Sequence, residues 1–166
     1  MATIRYHRPP EAYHLPVEGL SPADLVSTWH APRSGGRVHE GADLFAPRGT
    51  KVLSAVRGEV FRIRDGGLGG KSVTVIGEGP AFYYYAHLDG WAPGLREGQP
   101  VTAGQTLGFV GNTGNARSTP SHLHFGVYPI LRARPGRPVD PIPLLRALGL
   151  PRAPPEEAPS QLPPSA

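Results

Sequence analysis

Two histidines stand two apart in "SHLHFGVYP", residues 121–129, at the head of an apolar alternation. In an extended segment His122 and His124 project from one face. Two imidazoles on one face can share a metal, or one can bind while the other works beside it. A second place is "RVHEGADLFAP", where His39 and Asp43 lie four apart around Gly41. A fully extended strand would separate them by roughly 13 Å, too far for one metal. A bend at Gly41, which glycine permits, would bring them together. The third is "YYYAHLDG". Strict alternation would put Tyr83, Tyr85 and His87 on one face, with a turn following at Asp89-Gly90. Each place also has an ordinary reading: a surface His beside a turn Asp, an aromatic strand packing a core, a polar pair at a strand end. His7, His14 and His30 sit in irregular sequence with no partner and are read as incidental.

The elements that must position these residues are short. From about residue 50 the runs "TKVLSAV", "GEVFRIR", "KSVTVIG", "AFYYYAHL", "TLGFVG" and "HLHFGVY" read as strands. Glycine-rich turns separate them, which predicts an all-β fold of antiparallel sheets. Two short helices flank it. One lies in "SPADLVS", with Ser21 as N-cap, Pro22 at the first helical position and Asp24 at capping-box spacing. The other is "DPIPLLRALGL", capped by Asp140, with Leu144, Leu145 and Leu148 on one face before Gly149. The 22 glycines and 21 prolines are unevenly placed, glycines between the apolar runs and prolines toward the ends. Residues 1–30 are therefore read as an irregular arm with a short helix, 31–150 as the folded domain, and 151–166 as a disordered Pro-rich tail.

The chain of 166 residues lacks cysteine, so neither a disulfide nor a thiolate metal site is open to it. A net charge of +4 favours anionic partners. The basic residues are scattered and form no block, so nucleic acid is not expected. No stretch has the length of a transmembrane helix, and the N-terminus has no apolar region of signal-peptide type. Either the protein is cytoplasmic or a leader has been removed.

Taken together, "HEGAD", "YAHL" and "HLH", in that order, resemble the motifs of LytM/lysostaphin-type zinc metallo-endopeptidases, which cut the peptides of bacterial peptidoglycan. "APRGTKVLSAVRGEV" and "GQTLGFVGNTGNARSTPSHLHFGV" look like the core of the same family, and the resemblance spans roughly residues 31–128. It implies a compact barrel-like sandwich of antiparallel sheets. It further implies Zn²⁺ ligated by His39, Asp43 and His124, with His87 and His122 as catalytic residues beside the metal. The implied function is a zinc-dependent endopeptidase acting on peptidoglycan cross-links, stem or bridge peptides, as a monomer, in the cell envelope or secreted. The whole cleft is expected between residues 31 and 128, with loops 65–70, 90–100 and 112–121 as its walls and Tyr85 as a lesser candidate for its lining. The rival within the fold is a catalytically idle module that binds cell wall or activates another hydrolase. A carrier domain is also weighed, because "REGQPVTAGQTLGFVG" resembles biotinyl and lipoyl turns. It would leave the five site residues without a role, and its only lysines are Lys51 and Lys71.

Overall fold

The structure is a computed structural model and describes residues 13–131 and 134–147. The strands are β1 (Ala42–Phe45), β2 (Lys51–Leu53), β3 (Gly58–Asp65), β4 (Lys71–Gly77) and β5 (Ala81–Trp91). They continue with β6 (Pro100–Val101), β7 (Thr106–Val110), β8 (His122–Leu131) and β9 (Arg134–Pro135), before helix α1 (Pro141–Arg146). Every pairing is antiparallel. The main path runs β1-β8-β5-β4-β3-β6, with β7 joining the far end of β5 to β2. The path does not return on itself, so the expected all-β architecture is an unclosed sheet.

All six strands expected from the sequence form. β1, β6 and β9 escape a periodicity reading because they are two to four residues long. Strand β5 does not turn at Asp89-Gly90 but runs on to Trp91, pairing Gly90 with Phe109 and Trp91 with Gly108 of β7.

Alternation divides β8 cleanly. Leu123, Phe125 and Val127 are buried in the core, while His122, His124, Gly126 and Tyr128 face the opposite side. The neighbouring β1 repeats this, with Ala42 and Leu44 inward and Asp43 and Phe45 outward. Tyr83 and Tyr85 complete the core beneath β8. Their hydroxyls are satisfied internally: Tyr83 donates to the Glu78 carbonyl, and Tyr85 accepts from the Ala55 N–H. Burial raises the pKa of both phenols well above the ordinary tyrosine value.

The chain before β1 belongs to the same core. Val17 bridges Val52, and both Val17 and Leu25 are buried. The helix expected after Ser21 is a single 3-10 turn, Pro22–Asp24, whose Asp24 carboxylate accepts from the Ser21 N–H and hydroxyl. Helix α1 forms as expected, its Asp140 carboxylate accepting from the Ile142 N–H and Ile142 and Leu145 buried. Arg146 donates to the Leu25 carbonyl, tying α1 to the arm. His7, Leu148, Gly149 and the tail 151–166 lie outside the described residues. No helix among those described is long and apolar enough to cross a membrane.

Candidate active site

Strand register assembles the centre. Asp43 of β1 pairs directly with His124 of β8, and Phe45 pairs with His122. Side chains opposite one another on one face of an antiparallel pair are close neighbours. His39 reaches them around a bend at Gly41. Glycine is needed there for room: a Cβ would lie 2.7 Å from His124 Cε1 and 2.7 Å from the Phe125 carbonyl oxygen. The φ angle at Gly41 is not left-handed, so it is the passing imidazole and the Phe125 carbonyl that exclude a side chain.

Three atoms converge. His39 Nε2 lies 3.0 Å from Asp43 Oδ1 and 3.1 Å from His124 Nδ1, and His124 Nδ1 lies 3.2 Å from the same Oδ1. Their protonation follows from their far sides. His39 Nδ1 is 3.0 Å from the Thr28 carbonyl, which can only accept, so Nδ1 carries the proton. With Nδ1 bonded to that carbonyl, His39 turns its Nε2 toward a carboxylate oxygen and a second imidazole nitrogen. Converging lone pairs of this kind require a cation or an extra proton. Two imidazole nitrogens and one carboxylate oxygen are a three-ligand donor set for zinc, whose bonds of about 2.0–2.1 Å place tetrahedral ligands about 3.3 Å apart. The observed triangle matches that edge to within a few tenths of an ångström, so these residues fit a zinc ion.

Burial alone would raise the pKa of Asp43. Hydrogen bonds to His124 and His39, and the positive charge that His39 and His122 bring when protonated, outweigh it, holding the carboxyl well below the usual carboxylate range. Its second oxygen is also engaged. Asp43 Oδ2 accepts from Arg33 at 2.7 Å, which leaves Oδ1 alone to face the cluster.

His87 and His122 stand beside this triangle, their rings 5.1 Å apart between centroids. His87 arrives there against the expected alternation. Between the pairs Val73↔Tyr85 and Lys71↔Leu88, β4 has one residue and β5 has two, a bulge. His87 takes the extra position with φ of 64°, in the left-handed region. That turns it away from Tyr83 and Tyr85, with which strict alternation would group it, and onto the cleft side with Tyr84 and Ala86. Non-glycine residues held this way cost about 1–3 kcal/mol and persist where surroundings over-determine them. Here the His87 N–H donates to the Gly69 carbonyl, and Nδ1–H donates to the Thr113 carbonyl at 2.8 Å. Thr113 is itself pinned, accepting from the Lys71 N–H and donating to the Leu88 carbonyl through its hydroxyl. The two loops touch so closely that a Cβ on Gly70 would lie 2.4 Å from the Gly114 nitrogen.

His122 has the same tautomer, its Nδ1–H donating to the Pro120 carbonyl at 2.9 Å. Its Nε2 points inward, 3.7 Å from Asp43 Oδ1. Burial, aided by the charges of His122 and His124, lowers the pKa of His87 to about 4. His87 is thus neutral at pH 7, with a free Nε2 lone pair.

The cleft around these five side chains has a volume of about 990 Å³, open to solvent and large enough for several peptide residues. Loops 65–70 and 112–121 contribute Leu68, Gly69, Asn115, Ala116, Thr119 and Pro120, as expected. Loop 90–100 does not, because it is tied away to β3 and β7 through Gly98 N–H to Val60 O and Ala92 N–H to Leu107 O. The wall missed in the sequence is the segment 33–40. Thr28, which holds His39, also lies before the stretch 31–128 expected to build the whole cleft. Tyr84 lines the cleft where Tyr85 had been the candidate. His14 and His30 stay out of the cluster: His14 bonds the Leu15 carbonyl, and His30 stacks on Trp29.

The family model described as Peptidase family M23 matches residues 37–141. The chain belongs to that family. It is 38% identical over 143 residues to the L-Ala–D-Glu endopeptidase of Bacillus subtilis, covering 82% of this chain and 43% of that protein. It is 39% identical over 120 residues to the DD-carboxypeptidase/endopeptidase Mpg of Neisseria meningitidis, covering 71% of this chain and 24% of that one. This M23 chain thus spans less than half the length of those relatives. Among solved structures, the catalytic domain of lysostaphin from Staphylococcus simulans superposes with a TM-score of 0.64 at 26% identity, covering 75% of this chain and 95% of that domain.

Proposed function

We propose that this M23 protein is a zinc-dependent endopeptidase hydrolysing peptide bonds in bacterial peptidoglycan. The observation that carries the reading is the convergence of His39 Nε2, Asp43 Oδ1 and His124 Nδ1 within 3.0–3.2 Å, beside two histidines whose Nε2 atoms are free. The names of the relatives from B. subtilis and N. meningitidis support the substrate class. On this reading His39, Asp43 and His124 hold the metal, and the protein works in the cell envelope or outside the cell, as a monomer.

When bound, zinc polarises a carbonyl and lowers the pKa of a water toward about 7. The side chains do the rest. Neutral His87 offers an Nε2 lone pair, His122 presents its Nε2 beside it, and one of the two takes the proton of the attacking water. Once an imidazole is protonated it becomes a donor, able to bond the developing oxyanion or deliver the proton to the leaving amine. The carbonyls of Thr113 and Pro120 keep both rings in the required tautomer. Tyr84 and loops 65–70 and 112–121 supply the walls that hold an extended peptide across the centre.

The idle-module alternative would need a lost ligand or base, and none of the five positions departs from the motif. Digestion of purified muropeptides with and without chelator, read by mass spectrometry, tests the proposal. His39→Ala and Asp43→Ala should lose zinc and turnover together, whereas His87→Ala and His122→Ala should keep zinc and lose nearly all turnover. Loss of metal from His122→Ala as readily as from His124→Ala would refute the division of labour. Absence of any divalent ion in the native protein would refute the metal site.

A further inference from the structure

The cleft wall that the motifs do not account for is a small closed loop carrying two guanidinium groups. Pro32 bridges Val38, and the Arg33 N–H donates to the Arg37 carbonyl at 2.9 Å, so the two arginines stand at the mouth of one tight turn. Gly35 and Gly36, both left-handed with φ of 74° and 72°, make that turn possible. Both arginine side chains line the cleft. Arg33 gives one N–H to Asp43 Oδ2, is 36% exposed, and has no other side-chain hydrogen bond among the described residues. Arg37 is braced from behind, its Nε and one terminal nitrogen donating to the Ser34 carbonyl and hydroxyl, and its remaining donors are free.

We propose that Arg33 and Arg37 form an anion-recognising edge that selects substrate peptides bearing a free carboxylate beside the scissile bond. This rests on the peptidase reading above and names a chemical class for its substrate. Distance fixes where that carboxylate lies. Arg33 is 2.7 Å from Oδ2 of the carboxylate whose Oδ1 faces the centre, so its donor is at most about 5 Å from that ligand atom. An extended chain advances about 3.3–3.6 Å per residue, so Arg33 addresses the residue next to the cleaved bond or the one after it.

The charge balance of the cleft agrees. Its acidic members are Asp43, already claimed by Arg33 and the histidines, and the exposed Glu40. With Arg33 set against Asp43, the Arg37 guanidinium and the cation that the donor triangle requires stand against Glu40. A neutral glycine-rich peptide would offer no carboxylate to the remaining donors of Arg33 and Arg37. A carboxylate accepts two parallel N–H bonds from one fork, a match that neither an amide nor a lysine ammonium reproduces.

The test begins by mapping the bond that the wild-type protein cuts in muropeptides. The carboxylates within two residues of that bond are then replaced, one at a time, by carboxamides in soluble peptides. Wild type should favour the free acid at one of these positions by at least tenfold in kcat/KM, mostly through KM. Arg37→Gln and Arg33→Lys should each cut that preference to threefold or less, with zinc content unchanged. The second variant keeps an ammonium to pair with Asp43 but loses the fork. Equal cleavage of acid and amide by wild type would overturn the proposal while leaving the peptidase reading intact. So would full preference surviving in both variants. Failure to cut any muropeptide would instead remove the peptidase reading on which the proposal stands.

Discussion

Replacing Gly41 by alanine probes the link between backbone packing and metal geometry. The new Cβ would sit 2.7 Å from His124 Cε1, 2.8 Å from His124 Nε2 and 2.7 Å from the Phe125 carbonyl oxygen, against 3.4 Å for the start of ordinary contact. Something must therefore move by about 0.7 Å, the difference between those two distances. The Phe125 carbonyl belongs to β8, whose pairing with β1 and β5 resists displacement. The His124 ring can yield, and it carries one corner of the donor triangle, while the contact with the carbonyl pushes back the residue-41 backbone that sets the bend between His39 and Asp43. Metal sites tolerate about 0.2 Å in ligand distance, so a shift of this size spoils the site while the sheet survives. Overpacking of this kind costs about 1–3 kcal/mol of stability. Gly41→Ala should fold with a lowered melting temperature, bind zinc at least 10–100-fold more weakly, and lose turnover in proportion. Gly90→Ala is the control, because its Cβ would meet nothing within 4 Å and its φ is not left-handed. Zinc affinity is measured by competition with a chromogenic chelator, and folding by circular dichroism. Zinc binding within threefold of wild type in Gly41→Ala would refute the packing argument.

Tyr85→Phe removes the acceptor of the Ala55 N–H in a fully buried place, and should cost about 1–3 kcal/mol in denaturant unfolding with zinc affinity unchanged. A loss of activity without a loss of stability would return Tyr85 to the cleft. His87→Gly should be more stable than His87→Ala by about 1 kcal/mol, since only glycine occupies φ of 64° without penalty, although both are inactive. Equal melting curves would mean that the left-handed bulge relaxes in the variants. A chain stopped after Leu150 keeps α1 and its buried Ile142 and Leu145, and should cleave soluble muropeptide like the full chain. A tenfold fall, about 1.4 kcal/mol of transition-state stabilisation, would place residues 151–166 against the domain.

The unequal legibility of the five site residues has a physical basis. His122 and His124 were readable because β8 is regular where they sit: period-two alternation holds from His122 to Tyr128, and the apolar Leu123 and Phe125 declare the inner face. His87 was readable as a motif and not as geometry. A single extra residue in β5 and one left-handed φ reverse its face, and a histidine gives no sign of either in the sequence. The same reversal moved the cleft tyrosine from Tyr85 to Tyr84. His39 and Asp43 needed a bend that glycine permits, yet what requires glycine is the His124 ring and the Phe125 carbonyl, far along the chain. The contacts of Arg33 with Asp43 and of Thr28 with His39 depend instead on the local pairing of residues 30–33 with 37–39, a stretch with no apolar alternation to announce it. The backing of the centre is therefore where substitutions should surprise a reader of motifs. Thr28, Thr113 and Pro120 touch no substrate in the proposed mechanism, but their carbonyls decide which nitrogen of His39, His87 and His122 is left bare. Three backbone oxygens, one in the segment before β1 and two in the loop 112–121, thus set the protonation pattern on which both metal capture and proton transfer depend.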